Sequence, residues 1–372
     1  MQPLDSKRTH LPLDSLQQME RRVRIPFPGP SSPIFTFIDL FAGIGGFRLG
    51  LQAAGGRCSF SSEINIAARE VYWENYGEEP LGDITLPQVQ AQVPNTFDVL
   101  AAGFPCQPFS ISGKMRGFQD TRGTLIYEVF KLLDAHHPPV VLLENVKHLR
   151  YHDGGQTLKV IIEALTSLGY KTSCEVLNAV NFGVPQNRER IIIVGMRSAR
   201  FDFSQLRHRC MRPVLVDFLD SHGPFEYLQE PYTLIDNPRQ QPSGLIFAGY
   251  RNKAIRKRGV RPNTLQLSRV HKQPNRIYDA RGVHPALPSQ ETSGRFWILV
   301  DGKVRKLTLQ ECYRIMGFPP EFRRANSTAE QYRQVGNSVC VPMVEAIMRE
   351  VLKQLPPTPC TPHHSFAPAY QA

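Results

Sequence analysis

One cysteine in this chain stands where a thiol can react. An apolar run over 97–102 reads as a buried strand that empties through Gly103 into Phe104, Pro105 and Cys106, where the chain must turn. In an open α/β sheet, ligands sit beyond the carboxyl ends of the strands, so a cysteine held between Pro105 and Pro108 faces a pocket rather than the core. Its thiolate could serve as a nucleophile for covalent catalysis. Glu144, with Asn145 beside it in Leu-Leu-Glu-Asn-Val, ends a second apolar run, and Arg188 and Arg190 immediately precede a third, Ile-Ile-Ile-Val-Gly. A carboxyl kept partly protonated by burial can donate a proton. Two arginines alternating on a strand share a face, from which they could steady a carbonyl and favour the thiolate. Plainer alternatives are a small buried thiol, a helix-capping or loop acid and a surface ion pair.

These groups need a scaffold, and from Ile34 onward the pattern supplies one. Strand-like runs at 34–40, 57–63, 97–102, 139–146, 171–179 and 190–196 are interleaved with helical patterns at 47–56, 64–77, 125–135 and 156–169. That alternation predicts an α/β fold with a doubly wound, mostly parallel sheet. Residues 1–33 form an N-terminal extension with arginines at 21, 22 and 24 and prolines at 26, 28, 30 and 33. Residues 34–200 form the first part of the sheet domain. The alternation fails over 201–305, a stretch rich in Arg, Pro, Gly and Gln that reads as a second domain. Helical patterns over 306–355 return to the first domain, beside its first strand, and the Pro-rich tail 356–372 reads as disordered.

The composition limits the partners. The net charge is +11, which suits a polyanion. The seven cysteines contain no C-x-x-C pair, which removes support for zinc and redox motifs and fits a reducing cytoplasm. No apolar run is long enough to span a bilayer and no signal-peptide core opens the chain, so a cytoplasmic protein without a membrane is expected.

Between the first strand and helix lies DLFAGIGGF, residues 39–47. Glycines at such a turn let the backbone approach a nucleotide-like ligand, and Glu63, at the end of the next strand, can accept from ribose hydroxyls. The spacing is not G-x-G-x-x-G, and no basic residue follows at a position suited to a pyrophosphate, which favours a nucleoside without phosphate. A nicotinamide-dependent oxidoreductase stays open as an alternative, although it leaves Cys106, Glu144 and Arg190 unexplained.

Taken together, DLFAGIGGF, Gly-Phe-Pro-Cys-Gln-Pro-Phe-Ser, Leu-Leu-Glu-Asn-Val, Gln-Asn-Arg-Glu-Arg and Gln-Val-Gly-Asn-Ser-Val resemble, in order, the motifs of the DNA cytosine-C5 methyltransferases. The resemblance covers Phe37 to about Leu355. It implies a Rossmann-like S-adenosylmethionine-dependent methyltransferase in which Cys106 attacks cytosine C6. Glu144, oriented by Asn145, would donate to N3, and Arg190, with Arg188, would face the cytosine carbonyl. For the cofactor it implies Phe41 near the adenine, Gly43, Ile44 and Gly46 in the turn, Glu63 at the ribose, and Asp83 and Ile84 at the adenine. Pro105 would join them, and Asn337 with Ser338 would close over the methionine end. Ile64 stands where the family often has an aromatic residue.

The family acts on a base swung out of the duplex, so 201–305 is expected to be the target-recognition domain. Its basic cluster Arg251, Lys253, Arg256, Lys257, Arg258 and Arg261 suits phosphates. Arg276 could read a guanine, Gln273 could fill the emptied position, and Arg281-Gly282 matches the domain junction. Where relatives have Thr-Leu, this chain has Ala286-Leu287. Residues 110–123 look like a mobile cationic lid, from which Ser110, Lys114 and Arg122 would touch DNA. The resulting expectation is a monomeric, sequence-specific methyltransferase of double-stranded DNA, with no metal and with a possible cognate restriction endonuclease. An RNA cytosine methyltransferase of similar fold and a catalytically silent DNA-binding protein are the other readings.

Overall fold

The computed structural model describes residues 25–105, 125–206, 212–253, 264–289, 296–325 and 327–355. Seven strands come first: β1 (Phe35–Leu40), β2 (Gly56–Ser62), β3 (Val99–Gly103), β4 (Val140–Val146), β5 (Lys171–Asn178), β6 (Gln186–Asn187) and β7 (Glu189–Met196). Helices α1 (Gly46–Ala53), α2 (Ile66–Tyr76), α3 (Leu125–His136) and α4 (Gln156–Ser167) fall between them. Six strands form one sheet in the order β2-β1-β3-β4-β7-β5. β1 to β4 pair in parallel, as the alternation requires, whereas β7 runs antiparallel to both β4 and β5. The reversal has a simple cause. Between β5 and β7 lies only a short 3-10 turn, Ala179–Phe182, and the two-residue β6, with no helix to carry the chain back across the sheet.

The alternating apolar positions of the central strands bury on two faces. On one, Phe37, Val99 and Leu142 pack with Phe47 and Leu51 of α1. On the other, Ile38, Leu100 and Leu143 meet Phe130 and Leu133 of α3 and Ile161 and Leu165 of α4. The chain returns to the first face after the second domain. Helices α5 (Leu309–Arg314), α6 (Thr328–Asn337) and α7 (Val341–Gln354) end it, and Val344, Ile347, Met348 and Val351 of α7 complete the core that α1 begins. The fit is tight, since a Cβ at Gly50 would lie 2.7 Å from Val344 Cβ. Pro342 in the first turn of α7 presets its backbone for the helix. No helix of the described residues is long and apolar enough to cross a membrane.

Residues 232–305 build a second sheet from β8 (Tyr232–Leu234), β9 (Phe247–Arg251), β10 (Arg276–Asp279), β12 (Trp297–Val300) and β13 (Lys303–Arg305), ordered β13-β12-β10-β9-β8. The remaining strand, β11 (His284–Pro285), pairs instead with β6 and so stitches this unit to the first. The join is also apolar. Leu215, Ala280, Leu287 and Ile298 share a cluster with Ala42, Ile44 and Leu49 at the start of the chain's sheet domain.

Candidate active site

The turn leaving β1 is held in a left-handed path. Phe41, Gly43 and Gly45 have φ of 56°, 55° and 83°, and at Phe41 a side chain is kept in a region that only surrounding structure can enforce. Space forbids larger residues nearby. A Cβ at Gly45 would lie 2.4 Å from the Tyr76 ring, and one at Gly46 would lie 2.3 Å from Ser338 Oγ. The turn is thus clamped between α2 and the segment after α6. Glu63 sits one residue past the end of β2 rather than within it. Its Oε2 accepts from Gly43 N–H at 2.8 Å and its Oε1 from Asn65 N–H at 2.7 Å. Asp39, which opens the turn, is fully buried, and neither of its carboxyl oxygens is hydrogen-bonded among the described residues. Burial pushes its pKa up to about 8, against the pull of Arg48.

In front of the turn is a cavity of about 240 Å³ lined by Phe41, Gly43, Ile44, Gly46, Glu63, Asn337 and Ser338, together with Arg333 and Gln334, which the motifs did not single out. A larger cavity of about 680 Å³ holds Ile64, Asp83, Ile84, Pro105, Asn145, Arg188 and Arg190. Phe41, Glu63, Gly103, Glu144 and Asn337 line both, so the two form one depression at the strand ends. Ile84 is buried at its wall, whereas Ile64 is 70% exposed at its rim. The residues present fit S-adenosylmethionine: a backbone-anchored carboxylate for a diol and a turn that admits close approach. Arg48, two residues past Gly46, lines neither cavity.

Glu144 reaches the depression because β4 pairs with β3 in a register that sets it opposite Gly103, where no side chain stands between. Arg190 lies on antiparallel β7, opposite Val146, and is therefore a diagonal neighbour of Glu144 on the same face. Its Nε donates to Glu144 Oε1 at 2.9 Å, with the two side chains 16% and 12% exposed. Burial raises the Glu144 pKa above the ordinary value, while Arg190 and then Arg188 oppose the shift.

Two expected partnerships turn out differently. Asn145 does not orient Glu144. Its Nδ2 donates to Phe104 O at 2.8 Å, since successive strand residues face opposite sides, and it thereby ties down the backbone just past the end of β3. Arg188 lies between β6 and β7 rather than on a continuous strand with Arg190. Its buried guanidinium donates to Leu287 O, Gly336 O and Ser338 O at 3.0, 2.8 and 2.7 Å. It joins the domain junction to the last motif. Arg188→Ala should leave two buried carbonyls and a half-buried one unpaired and lower stability in urea unfolding by about 4 kcal/mol.

Cys106, Ser110, Lys114 and Arg122 lie outside the described residues, as do Arg256, Lys257, Arg258 and Arg261. Arg251 and Lys253 are described, and both pair with Glu230. Arg276 is oriented by the second domain itself, donating through Nε and Nη2 to His271 O and through Nη1 to Gln273 Oε1 at 2.6 Å. Gln273 in turn donates to Tyr278 Oη at 3.1 Å. Arg281 is exposed and paired with Asp279 at 2.6 Å.

The sheet with one reversed strand, the glycine turn and the appended second sheet are those of a Rossmann-like methyltransferase. In line with that, the fission-yeast S. pombe Dnmt2 methyltransferase superposes with a TM-score of 0.62 at 19% identity, covering 86% of this chain and 98% of that one. A putative DNA modification methyltransferase from an E. coli prophage superposes with a TM-score of 0.59 at 21% identity, covering 86% and 99%. The family model for C-5 cytosine-specific DNA methylase matches residues 35–353, and the chain belongs to that family of DNA cytosine-5 methyltransferases. It is 40% identical over 334 residues to Type II methyltransferase M.HpaII of Haemophilus parainfluenzae, covering 86% of this chain and 90% of that one. Over 323 residues it is 39% identical to Type II methyltransferase M.HhaI of Haemophilus parahaemolyticus, covering 84% and 92%.

Proposed function

We propose that this enzyme methylates C5 of one cytosine within a short recognition sequence of double-stranded DNA, after rotating that cytosine out of the helix and adding Cys106 to its C6. The observation that carries the reading is the half-buried Glu144–Arg190 pair at the wall of the same depression that Pro105, immediately before Cys106, also lines. Cytosine C5 is a poor nucleophile while the ring is aromatic. Thiolate addition at C6 breaks the aromaticity and makes C5 enamine-like. Charge then develops on the ring, and Glu144, whose pKa burial raises, donates at N3 in its protonated form. Arg190 holds the carboxyl in place and offers its remaining N–H groups to the cytosine carbonyl. S-adenosylmethionine, when bound, supplies the methyl group. Loss of the C5 proton and expulsion of the thiolate restore the ring.

Extruding the base costs a few kcal/mol, and the second sheet with its arginines is suited to hold the duplex meanwhile. Gln273 fills the emptied position, Arg276 reads a base edge, and Arg281 contacts the backbone. The protein acts as a monomer on genomic DNA in the cytoplasm, where its mark shields the site from a companion endonuclease. Bisulfite sequencing of a host without its own cytosine methylation tests this reading. One recurrent methylated sequence is expected. Random or absent methylation, or methyl transfer to transfer RNA as fast as to duplex DNA, would overturn it.

A further inference from the structure

Next to the glycine turn lies a buried polar stack that the chemistry does not touch. Arg48 is 1% exposed, although it sits only two residues past Gly46. Its guanidinium carbon lies 4.5 Å from the ring centroid of Tyr76 and 5.2 Å from that of Tyr72, and the two rings meet at 4.5 Å. Nη1 donates to Tyr72 Oη at 3.3 Å and Glu78 Oε2 at 2.7 Å, and Nε donates to Gln52 Oε1 at 2.6 Å. A desolvated guanidinium over an aromatic face is attracted by the ring's quadrupole, so the stack holds the Tyr76 ring in place.

What the ring carries is a hydroxyl aimed at the turn. Tyr76 Oη donates to Gly45 O at 2.8 Å. In a trans peptide the carbonyl and the following N–H point in opposite directions, and no peptide here is cis. Fixing Gly45 C=O on Tyr76 therefore turns Gly46 N–H the other way, and Gly46 lines the smaller cavity. The hydroxyl reinforces the first helical bond of α1, from Leu49 N–H to the same carbonyl at 3.0 Å, at a glycine whose φ of 83° no side chain restricts.

We propose that Tyr76, seated on Arg48, is a positioning residue for the methyl donor: its hydroxyl sets the Gly45–Gly46 peptide and so the backbone donor presented to the pocket. Tyr72, which shares the stack but makes no hydrogen bond to the turn among the described residues, contributes to stability alone. The inference rests on the reading of this cavity as the S-adenosylmethionine site. Burial holds the Tyr76 pKa well above its ordinary value, so the hydroxyl is a donor throughout the working range.

Purified Tyr76→Phe and Tyr72→Phe proteins, compared with wild type, test it by calorimetric titration with S-adenosylhomocysteine and by steady-state methylation of duplex DNA. Tyr76→Phe should raise the Kd for S-adenosylhomocysteine and the KM for S-adenosylmethionine about ten-fold, the effect of one hydrogen bond. Its kcat at saturating donor and its KM for DNA should stay within about two-fold. Tyr72→Phe should lower the thermal midpoint and leave the donor constants unchanged. Tyr76→Phe binding as tightly as wild type overturns the inference alone. So does equal weakening by Tyr72→Phe, or failure of Tyr76→Phe to fold, since either makes the stack merely structural. A wild-type protein that binds no S-adenosylhomocysteine removes the cofactor reading and the inference with it.

Discussion

Glu144→Gln should lower kcat by about 10²- to 10³-fold while leaving the KM for DNA nearly unchanged, as expected for a group that acts in the transition state rather than in binding. The amide keeps the size of the carboxyl and can still accept from Arg190, but it has no proton to transfer to N3. The pH dependence carries a sign that checks the assignment. Burial raises the Glu144 pKa and Arg190 pulls it back. The protonated, active form is lost as pH rises through that pKa, so single-turnover methyl transfer should fall on the alkaline side. Removing the cation in Arg190→Met should move this limb to higher pH, and Glu144→Gln should abolish it. An alkaline limb unmoved in both variants would mean that another group titrates there.

Cys106→Ser should abolish methyl transfer, by at least about 10³-fold, while DNA and S-adenosylmethionine still bind. A hydroxyl ionises far less readily than a thiol and lacks the nucleophilicity that C6 addition requires. Its neighbour Pro105 lines the larger cavity, and the Asn145 bond holds Phe104 O. Duplex DNA carrying 5-fluorocytosine at the target separates addition from binding, because fluorine cannot leave as a proton would. Wild type should give a protein–DNA adduct that survives a denaturing gel, and the serine variant should not. A trapped adduct with serine would sink the nucleophile assignment.

Much of the catalytic sheet was readable from local pattern. Glu144 closes an apolar run of strand length, the glycine turn follows another, and each such residue falls at a strand end because apolar runs stop where the pocket begins. Direction was not readable. Ile191 to Val194 are as apolar as a parallel strand would be, and only the lack of a crossover helix before them makes β7 antiparallel. Partnerships across long separations were equally silent. Spacing alone makes Arg188 a companion of Arg190, yet its three carbonyls lie 99 to 150 positions downstream. Asn145 finds Phe104 41 positions upstream. Arg48 and Tyr76 carry no motif signal, because on a helix an inward polar residue differs from a solvated one only by what it meets in three dimensions.

The wall of the smaller cavity joins early parts of the chain, the turn after β1 with Glu63, Gly103 and Glu144, to a late one, residues 333–339 around the end of α6. On the ribosome the early strands can pair long before that later stretch is made. Until it emerges and α7 settles onto α1, Gly46 has no Ser338 against it and the donor has only half a pocket. The early strands alone therefore cannot close this cavity, and its last wall is added when the late helices dock.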